Sequence, residues 1–334
     1  MQQYLNLVED VITSGTHKPN RTDVDTISRF HQSYRVDLQH GFPLLTTKDL
    51  SGGRWNTLVH ELLWYLSGQE HIRDLQEETS IWDAWADENG MLETAYGRFW
   101  RRFPLPEHTI NGEAWPDRAD DWVNQDDGNS TFDQLQYAID QLRENPSSRR
   151  IVVSAWHPAN AAVSRLPPCH YSFVLNVQNQ RLNLHLTQRS GDIAVGVPFN
   201  IAAYSLLIHI IAQKTDLEPG VFAHSIVDAH IYCGKAERGK FYADRLPELQ
   251  ERIQNAETPE DYLAARDWLE EEAPDEAEQG YDHLPNLLTQ LSREPLERPS
   301  IAVNASKPLD ELEADDIELS DYNPHDSLRF SVAE

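Results

Sequence analysis

Sulfur and long apolar runs are scarce in this sequence. Only two cysteines, Cys169 and Cys233, occur in 334 residues, which excludes a disulfide framework. No run of about 18 apolar residues and no charged leader followed by an apolar stretch is found, so neither a membrane span nor a secretory signal is predicted. These absences predict a soluble, cytoplasmic protein that has no membrane partner.

Positive charge is also scarce. The chain carries 28 basic residues against 55 acidic residues, which gives a formal net charge of −27. Such a field repels nucleic acid and anionic lipid surfaces, so neither is predicted as a partner. The favoured interpretation is a solvated acidic surface suited to a high-salt cytoplasm, and it predicts a halophilic protein whose folding and activity need molar salt. The alternative interpretation is an acidic docking surface.

Helical and strand patterns alternate along the chain. The stretch MQQYLNLVEDVITSG places its apolar residues on one helical face and stops at Gly15, and NTLVHELLWYLSG predicts a second helix that ends at Gly68. IVVSAW, YSFVLNV and RLNLHLTQ are typical of short strands, whereas NIAAYSLLIHIIAQK is apolar nearly all round and predicts a buried helix. The mixture predicts an α/β (α+β) fold with a mixed sheet layered against helices.

Two segments differ from the rest in composition. Residues 104–130 are rich in Pro, Asp, Asn and Gly, which is typical of an elaborated surface region. Residues 246–282 are strongly acidic with few apolar residues, which favours a partly helical surface insertion over an independent domain. We therefore expect residues 1–334 to form a single domain with these two insertions.

The stretch LPPCHYSFVLNV places one of the two cysteines at the start of an apolar strand. If this strand forms a hairpin with RLNLHLTQ through a three-residue loop, Cys169 falls opposite Arg189, whereas a two-residue loop brings Ser190 opposite it. Arg189 could supply the cation that favours a thiolate nucleophile. His170 should point to the opposite face of the strand, which weakens a cysteine-hydrolase interpretation. The alternative is that Cys169 is simply a small buried apolar residue.

Other side chains suited to a small-molecule site are scattered along the chain. Arg21 lies in the polar loop PNRTDVDT, and Arg149 and Arg150 follow the turn-like stretch NPSS. All three could bind phosphate oxygens, although single arginines more often form surface ion pairs. Trp82 and Trp85 would share a helical face that stacks on a flat heterocycle or packs in the core. Asn200 could read a base through its amide or simply cap a helix.

Taken together, the motifs resemble those of the folate-dependent thymidylate synthases along the whole chain apart from the two insertions. Each motif is weakly specific, but their joint order is highly specific. The matching stretches are Arg21-Thr22, DLQHGFPLLTTK, HELLWYLSG, IWDAWADENG, YGRFW, SSRRIVVSAW, LPPCH, QRSGDIAVGVPFNIAAY, DAHIY and LSREP.

The resemblance implies a reaction and an assembly. It implies reductive methylation of dUMP to dTMP, with 5,10-methylenetetrahydrofolate as the donor of both the one-carbon unit and the hydride, and no metal. Cys169 would add to C6 of uracil, an instance of covalent catalysis. The resemblance also implies a homodimer with the sheet at its interface and with Arg149 and Arg150 reaching into the partner's site.

Roles for individual residues follow from the same resemblance. Arg21, Arg189 and Ser190 would bind the phosphate, Asn200 the uracil, and His230 and Tyr232 the deoxyribose hydroxyl. Glu61 and Tyr96 would manage proton transfers, and His170 and Gln188 would order the surroundings of the cysteine. Residues expected at the folate are Asp192, Trp82, Trp85, Lys48 and Ala333.

The chain departs from the family pattern at three places. Asp23 and Asp25 replace the usual glycines of the arginine loop. After Tyr232 the family continues with asparagine and histidine, whereas here Cys233-Gly234-Lys235 leads into the long insertion. The chain ends in Glu334 where the family ends in an aliphatic residue, so the contact that closes the folate pocket must differ.

Two other functions are consistent with part of this pattern. A dUMP or dCMP hydroxymethylase on the same scaffold would use the same cysteine and arginines, and Asn200 favours uracil because an aspartate would suit cytosine. A catalytically inert nucleotide-binding or interaction protein is the alternative from another class, and the joint presence of Cys169, Glu61, Tyr96 and Asp192 argues against it.

Overall fold

The computed structural model describes residues 1–20, 22–93, 95–105, 121–126, 129–275 and 280–332. Within these residues the helices are α1 (Gln2–Ser14), α2 (Gly53–Ser67), α3 (Arg73–Gln76), α4 (Tyr96–Arg101), α5 (Gln134–Glu144), α6 (Pro158–Val163), α7 (Gly196–Lys214), α8 (Ala236–Gln254), α9 (Pro259–Glu272) and α10 (Leu284–Leu291). The strands are β1 (Thr16–Lys18), β2 (Val24–Asp37), β3 (Phe103–Pro104), β4 (Val123–Asp126), β5 (Asn129–Phe132), β6 (Val152–Ser154), β7 (His170–Gln178), β8 (Arg181–Asp192), β9 (Glu218–Lys235), β10 (Ser300–Val303) and β11 (Ile317–Ser320).

A six-stranded mixed sheet forms the centre of the fold, in the order β1-β2-β9-β8-β7-β6. The pairing of β8 with β9 is parallel, and the other pairings in this sheet are antiparallel. Helices α1 and α7 pack against β9, and a single buried apolar cluster extends from α1 to β11. The predicted α/β class, with a mixed sheet layered against helices, is confirmed.

Helix ends follow the signals in the sequence. Helix α1 stops before Gly15, and α2 is followed by Gly68 in the left-handed conformation, with φ of 72°. Glycine reaches this conformation without the steric cost that a Cβ atom imposes. Both predicted helix ends are therefore confirmed.

Helix α7 carries the longest apolar pattern in the chain. It is long and apolar enough to cross a membrane, but most of it is buried within the protein. Its buried residues include Tyr204 and extend from Val197 to Ala212. A helix that is apolar on all sides needs neighbours on all sides, and the packing of α7 against β8 and β9 provides some of them. The prediction of a buried core helix is confirmed.

The hairpin between β7 and β8 combines the two registers considered from the sequence. Its loop has two residues, Asn179 and Gln180, both at positive φ (52° and 61°), as a tight turn between antiparallel strands requires. Near the other end of the hairpin an irregularity at Tyr171 shifts the pairing by one residue. The shift places Cys169 opposite Arg189, and the Arg189 amide donates to the Cys169 carbonyl oxygen over 2.8 Å.

The prediction that Trp82 and Trp85 lie on a helix is wrong. The chain between α3 and α4 forms a series of turns around these residues. Asp87 explains part of this outcome, because its carboxylate accepts hydrogen bonds from the amides of Asn89 and Met91 and so favours a turn over a continuing helix. The two indole rings nevertheless lie 5.7 Å apart, centroid to centroid.

The two compositionally distinct segments carry regular structure where they are described. Strands β3, β5 and β4 form a small antiparallel sheet. Helix α8 packs against α1 and α9, and its buried side chains include Leu246, Leu249 and Ile253. The acidic segment thus has more apolar anchors than its composition indicates, and α8 starts at Ala236, before the expected boundary at residue 246.

Candidate active site

A cavity of about 480 Å³ lies at the ends of β7, β8 and β9 and the start of α7. This volume falls within the range of about 300–1,000 Å³ that is typical of small-molecule pockets. Most of the predicted site residues line it: Glu61, Trp82, Trp85, Tyr96, Cys169, His170, Gln188, Arg189, Ser190, Asp192, Asn200, His230 and Tyr232.

Cys169 and Arg189 both line this cavity. The Nη2 atom of Arg189 lies 3.5 Å from the Cys169 Sγ atom. The same guanidinium donates through Nη2 to the carbonyl oxygen of Pro167 over 2.6 Å and through Nε to that of Pro168 over 3.0 Å. The proline pair therefore aims the arginine at the sulfur, and a positive charge at this distance favours the ionised thiol.

Tyr96 supports the cysteine from α4. The Cys169 amide donates to the Tyr96 hydroxyl oxygen over 2.8 Å. The Tyr96 ring stacks on His170 with 3.8 Å between centroids and an interplanar angle of 3°. His170 forms its own hydrogen bond through Nδ1 with the Tyr204 hydroxyl, and burial lowers the pKa of His170 to about 3. A neutral, buried imidazole engaged with Tyr204 is a poor general base for the thiol. His170 and Cys169 both line the cavity, so this hydrogen bond and the low pKa, rather than strand alternation, weaken the cysteine-hydrolase interpretation.

Glu61 brings a carboxyl group from helix α2 to the cavity. Its Oε1 atom accepts from the Tyr65 hydroxyl over 2.8 Å and from the Trp82 indole Nε1 over 2.9 Å. Burial raises the pKa of Glu61 to about 7, although both hydrogen bonds oppose the shift. A carboxyl with such a pKa can exchange protons with a reacting molecule near neutral pH.

Asp192 and Asn200 lie where β8 passes into α7. The Asp192 Oδ1 atom accepts from the amides of Ala194 over 2.8 Å and Val195 over 3.3 Å, which fixes the connection between the two elements. Asn200 belongs to the second turn of α7, which begins at Gly196, so it is not the helix cap. Its amide is therefore available to line the cavity.

Gln188 belongs to a buried series of hydrogen-bonded side chains that the sequence analysis did not predict. Its Nε2 atom donates to the Ser190 carbonyl oxygen over 2.9 Å, and its Oε1 atom contacts His224 Nε2 over 2.9 Å. The other nitrogen of His224 contacts the Tyr34 hydroxyl over 2.8 Å. Burial lowers the pKa of His224 to about 3, so this imidazole is neutral and holds the orientation of Gln188. The alternation of β9 gives the only hint, because it turns His224 inward.

A polar cluster around Asp228 forms another wall. Asp228 pairs with Lys18 and accepts from the Ser28 hydroxyl over 2.8 Å. A hydrogen bond from His230 is the largest cause of a lowered pKa at Asp228. The sequence reasoning missed Lys18 and Asp228 as wall residues, although Asp228 opens the DAHIY motif and lysines are rare enough here to draw notice.

Several predicted residues lie elsewhere. Lys48 is buried beside the cavity, donates through Nζ to the Ala194 carbonyl oxygen over 2.5 Å and lies 4.7 Å from the Phe330 ring centroid. Burial lowers the pKa of Lys48 to about 7. Arg149 and Arg150 are exposed and are not part of the cavity lining. Arg21 and Ala333 lie outside the described residues, and the described part of the chain has no group of three or more His, Cys, Asp or Glu side chains that could hold a metal ion.

A pocket lined by a cysteine paired with a guanidinium, and by a carboxyl group whose pKa is about 7, indicates an enzyme equipped for covalent catalysis. Comparison with known proteins identifies the class more closely. The family described as Thymidylate synthase matches residues 2–334. A thymidylate synthase from Haloferax volcanii is 64% identical over 331 residues, which cover 98% of this chain and 96% of the relative.

The chain therefore belongs to the thymidylate synthase family, whose members are methyltransferases. The family resemblance drawn from the motifs is confirmed, and the hydroxymethylase interpretation is not favoured. The high identity to a protein of a halophile agrees with the interpretation of the acidic composition.

Proposed function

We propose that this protein converts dUMP to dTMP, with 5,10-methylenetetrahydrofolate as co-substrate, through a covalent bond between Cys169 Sγ and C6 of uracil. The observation that carries the proposal is the 3.5 Å contact between Arg189 and the Cys169 sulfur inside the cavity. Addition of a thiolate at C6 turns C5, a poor nucleophile, into an enolate carbon that can attack an electrophilic one-carbon unit.

The walls of the cavity suit the parts of the nucleotide. Arg189 and Ser190, with Arg21, bind the phosphate through charge-assisted hydrogen bonds. Asn200 pairs with N3–H and O4 of uracil, since an amide offers both a donor and an acceptor. His230 and Tyr232, whose rings meet edge to face with 5.2 Å between centroids, bind the deoxyribose hydroxyl.

The remaining wall suits a reduced folate, which supplies the one-carbon unit and the hydride. Trp82 and Trp85 offer aromatic surface for a flat ring, and Asp192 offers acceptors for the ring nitrogens. Glu61, with its pKa near 7, relays protons to and from the base together with Tyr96. Lys48 and Ala333 complete the folate side of the site, and no metal takes part.

The functional unit we propose is a cytoplasmic homodimer formed across the central sheet. Strands of this sheet expose large apolar side chains, with Phe30 81%, Val152 49% and Val227 38% exposed. Phe30 and Val227 lie close together on the neighbouring strands β2 and β9, and an exposed apolar pair of this kind supports an interface with another protein surface. Arg149 and Arg150 then extend from each subunit to the phosphate in its partner's site, which accounts for their exposure here. The net charge of −27 argues against nucleic acid or membrane partners.

The test is a spectrophotometric assay for dihydrofolate in high salt, with dUMP and methylenetetrahydrofolate as substrates. Cys169→Ala should abolish both dihydrofolate and dTMP. Cys233→Ala is the matched control and should retain activity, because Cys233 is buried and does not line the cavity. Activity that survives in Cys169→Ala, or a wild-type enzyme that accepts only dCMP, would refute the proposal.

A further inference from the structure

The segment that contains α8 and the acidic helix α9 leaves the central sheet and returns to it at one place. Cys233, near the end of β9, pairs with Asp282 in an isolated antiparallel bridge. The Gly234 amide donates to the Tyr281 carbonyl oxygen over 3.2 Å, and the His283 amide donates to that of Tyr232 over 3.0 Å. The chain therefore returns to the cavity wall beside the point from which it departed.

Asp282 connects this return point to α8. Its Oδ2 atom accepts from Arg238 Nε over 2.7 Å and from the Tyr242 hydroxyl over 2.6 Å. Its Oδ1 atom accepts from the Leu284 amide over 3.0 Å at the start of α10. The carboxylate is 1% exposed and the arginine side chain 9%. Removal of one member of such a buried cluster leaves its partners unsatisfied, so the cluster holds α8 and residue 283 in a defined relation.

His283 joins that return point to the C-terminal segment. The side chain is fully buried, and its Nε2 atom lies 2.9 Å from the Ser331 carbonyl oxygen. A carbonyl oxygen only accepts, so Nε2 carries the proton. Among the described residues the Nδ1 atom has no hydrogen-bond partner, and it lies 3.8 Å from Asp192 Oδ1. The imidazole therefore lies between the C-terminal segment and the carboxylate expected at the folate.

The C-terminal segment reaches the cavity at this point. The Ser331 amide donates to the Gly280 carbonyl oxygen over 2.9 Å, so residue 331 is held from both sides by residues 280 and 283. The Phe330 ring meets His283 edge to face with 5.1 Å between centroids. Val332 then lines the cavity wall.

From these contacts we infer that His283 is a positioning residue for the folate side of the site, and that the cluster of Arg238, Tyr242 and Asp282 holds it in place. His283 keeps the segment Phe330–Val332 against the cavity next to Asp192. Helix α8 thereby acts on folate binding without contact with the folate. This inference rests on the proposed function for the identity of the ligand.

The first experiment compares His283→Leu with His283→Gln, and His209→Leu is the matched control. His209, on α7 and outside the cavity lining, is a second largely buried histidine, and its Nε2 atom has no partner within the described part of the chain. Loss of the bond to Ser331 should raise the KM for methylenetetrahydrofolate about five- to tenfold in His283→Leu, with the KM for dUMP changed less than about twofold. His283→Gln should recover most of the loss, because its amide nitrogen can replace Nε2 as donor.

Hydrogen exchange provides a readout that does not depend on turnover. The Ser331 amide should exchange faster in His283→Leu than in the wild type, and His209→Leu should leave it unchanged. Tyr242→Phe should also raise the KM for methylenetetrahydrofolate and speed exchange at Ser331, but less strongly. The Tyr262 hydroxyl contacts Glu9 instead, so Tyr262→Phe should change neither quantity.

The outcomes separate the two proposals. Unchanged exchange at Ser331 in His283→Leu overturns the positioning role, whatever the activity. An equal rise in the KM for both substrates, or no recovery in His283→Gln, would indicate a general structural role and would also overturn the positioning role. A wild-type enzyme that forms no dTMP refutes the proposed function, while the exchange experiment still decides whether His283 and Tyr242 hold the segment.

Discussion

The guanidinium of Arg189 lies 3.5 Å from the sulfur of Cys169, on the neighbouring strand of the same hairpin. The two residues are 20 positions apart in sequence, and the shifted register at Tyr171 brings them opposite each other. Carbonyl oxygens of Pro167 and Pro168 take two of the donors of the arginine and orient the rest of its charge toward the thiol. The contact thus depends on the backbone around the cysteine as much as on the arginine.

Arg189→Gln should slow the alkylation of Cys169. Without the cation, a smaller fraction of the thiol is ionised near neutral pH, and we expect the rate with iodoacetamide to fall about tenfold. Arg181→Gln is the matched control on the same strand, because Arg181 pairs with Asp37 and does not line the cavity. Mass spectrometry separates Cys169 from Cys233, whose pKa is raised well above its ordinary value by burial. Equal rates in the two variants would contradict the role of Arg189.

Glu61→Gln should change how stability depends on pH. Burial raises the pKa of Glu61 from 4.5 to about 7, so between these values the folded state holds a proton that the unfolded state has released. The contribution of Glu61 to the free energy of unfolding therefore falls as the pH rises through this window. From pH 4.5 to pH 7.5 the free energy of unfolding of the uncharged variant should therefore rise, relative to that of the wild type, by on the order of 3 kcal/mol.

Chemical denaturation of both proteins across this pH range measures the difference, and Glu77→Gln controls for the loss of one exposed carboxylate. Glutamine can still accept from Tyr65 and Trp82, so the comparison isolates the ionisation. The same variant should lose at least about 100-fold in kcat, because an amide cannot relay protons. A constant stability difference from pH 4.5 to pH 7.5 would argue against a raised pKa at this position.

Local patterns in the sequence predict the elements whose conformation is determined mainly by their own residues. Helix α1 and its stop at Gly15 follow from a 3.6-residue apolar period and a glycine, and the all-apolar α7 predicts its own burial. The turns around Trp82 and Trp85 are not visible in this way, because the spacing of two aromatic residues fits one helical face and also a tight turn. The Asp87 hydrogen bonds that favour the turn depend on local conformation.

Placement of the site residues required more than local pattern. Counting along the hairpin left Arg189 and Ser190 as alternatives opposite Cys169, because a one-residue irregularity such as that at Tyr171 leaves no mark in composition. Most of the residues that the family motifs named line one cavity in the structure. They gave no indication of His224 or His283, whose roles arise from contacts between distant segments: β9 with β2 and β8 for one, and α10 with the C-terminal segment for the other.

Mixed dimers should recover activity from two inactive variants. Cys169→Ala and the double variant Arg149→Ala/Arg150→Ala should each be inactive as homodimers. If the arginines serve the partner's site, a mixed dimer has one site with both defects and one intact site. Random exchange of subunits should then restore about a quarter of the wild-type activity. Arginines that serve their own subunit would leave no intact site, so an inactive mixture of verified mixed dimers would refute the shared site.

Stability should fall when molar salt is removed. The formal net charge is −27, so the acidic side chains repel one another in the folded state. Salt screens this repulsion, because the Debye length shortens from about 10 Å at 0.1 M salt to about 3 Å at 1 M. We expect the melting temperature to drop by on the order of 10 °C between 2 M and 0.1 M KCl at pH 7.5. The drop should shrink at pH 5.5, closer to the pI of about 4.8, because protonation lowers the net negative charge.

Sucrose separates screening from a general effect of excluded solutes. An uncharged osmolyte favours burial but leaves the repulsion between carboxylates unscreened, so sucrose at low salt should restore only a small part of the lost stability. The buried pair of Arg238 and Asp282 should respond little to salt, and Tyr242→Phe should therefore lower the melting temperature by a similar amount at both salt concentrations. Full recovery in sucrose, or a salt response that is unchanged at pH 5.5, would show that charge repulsion is not the cause.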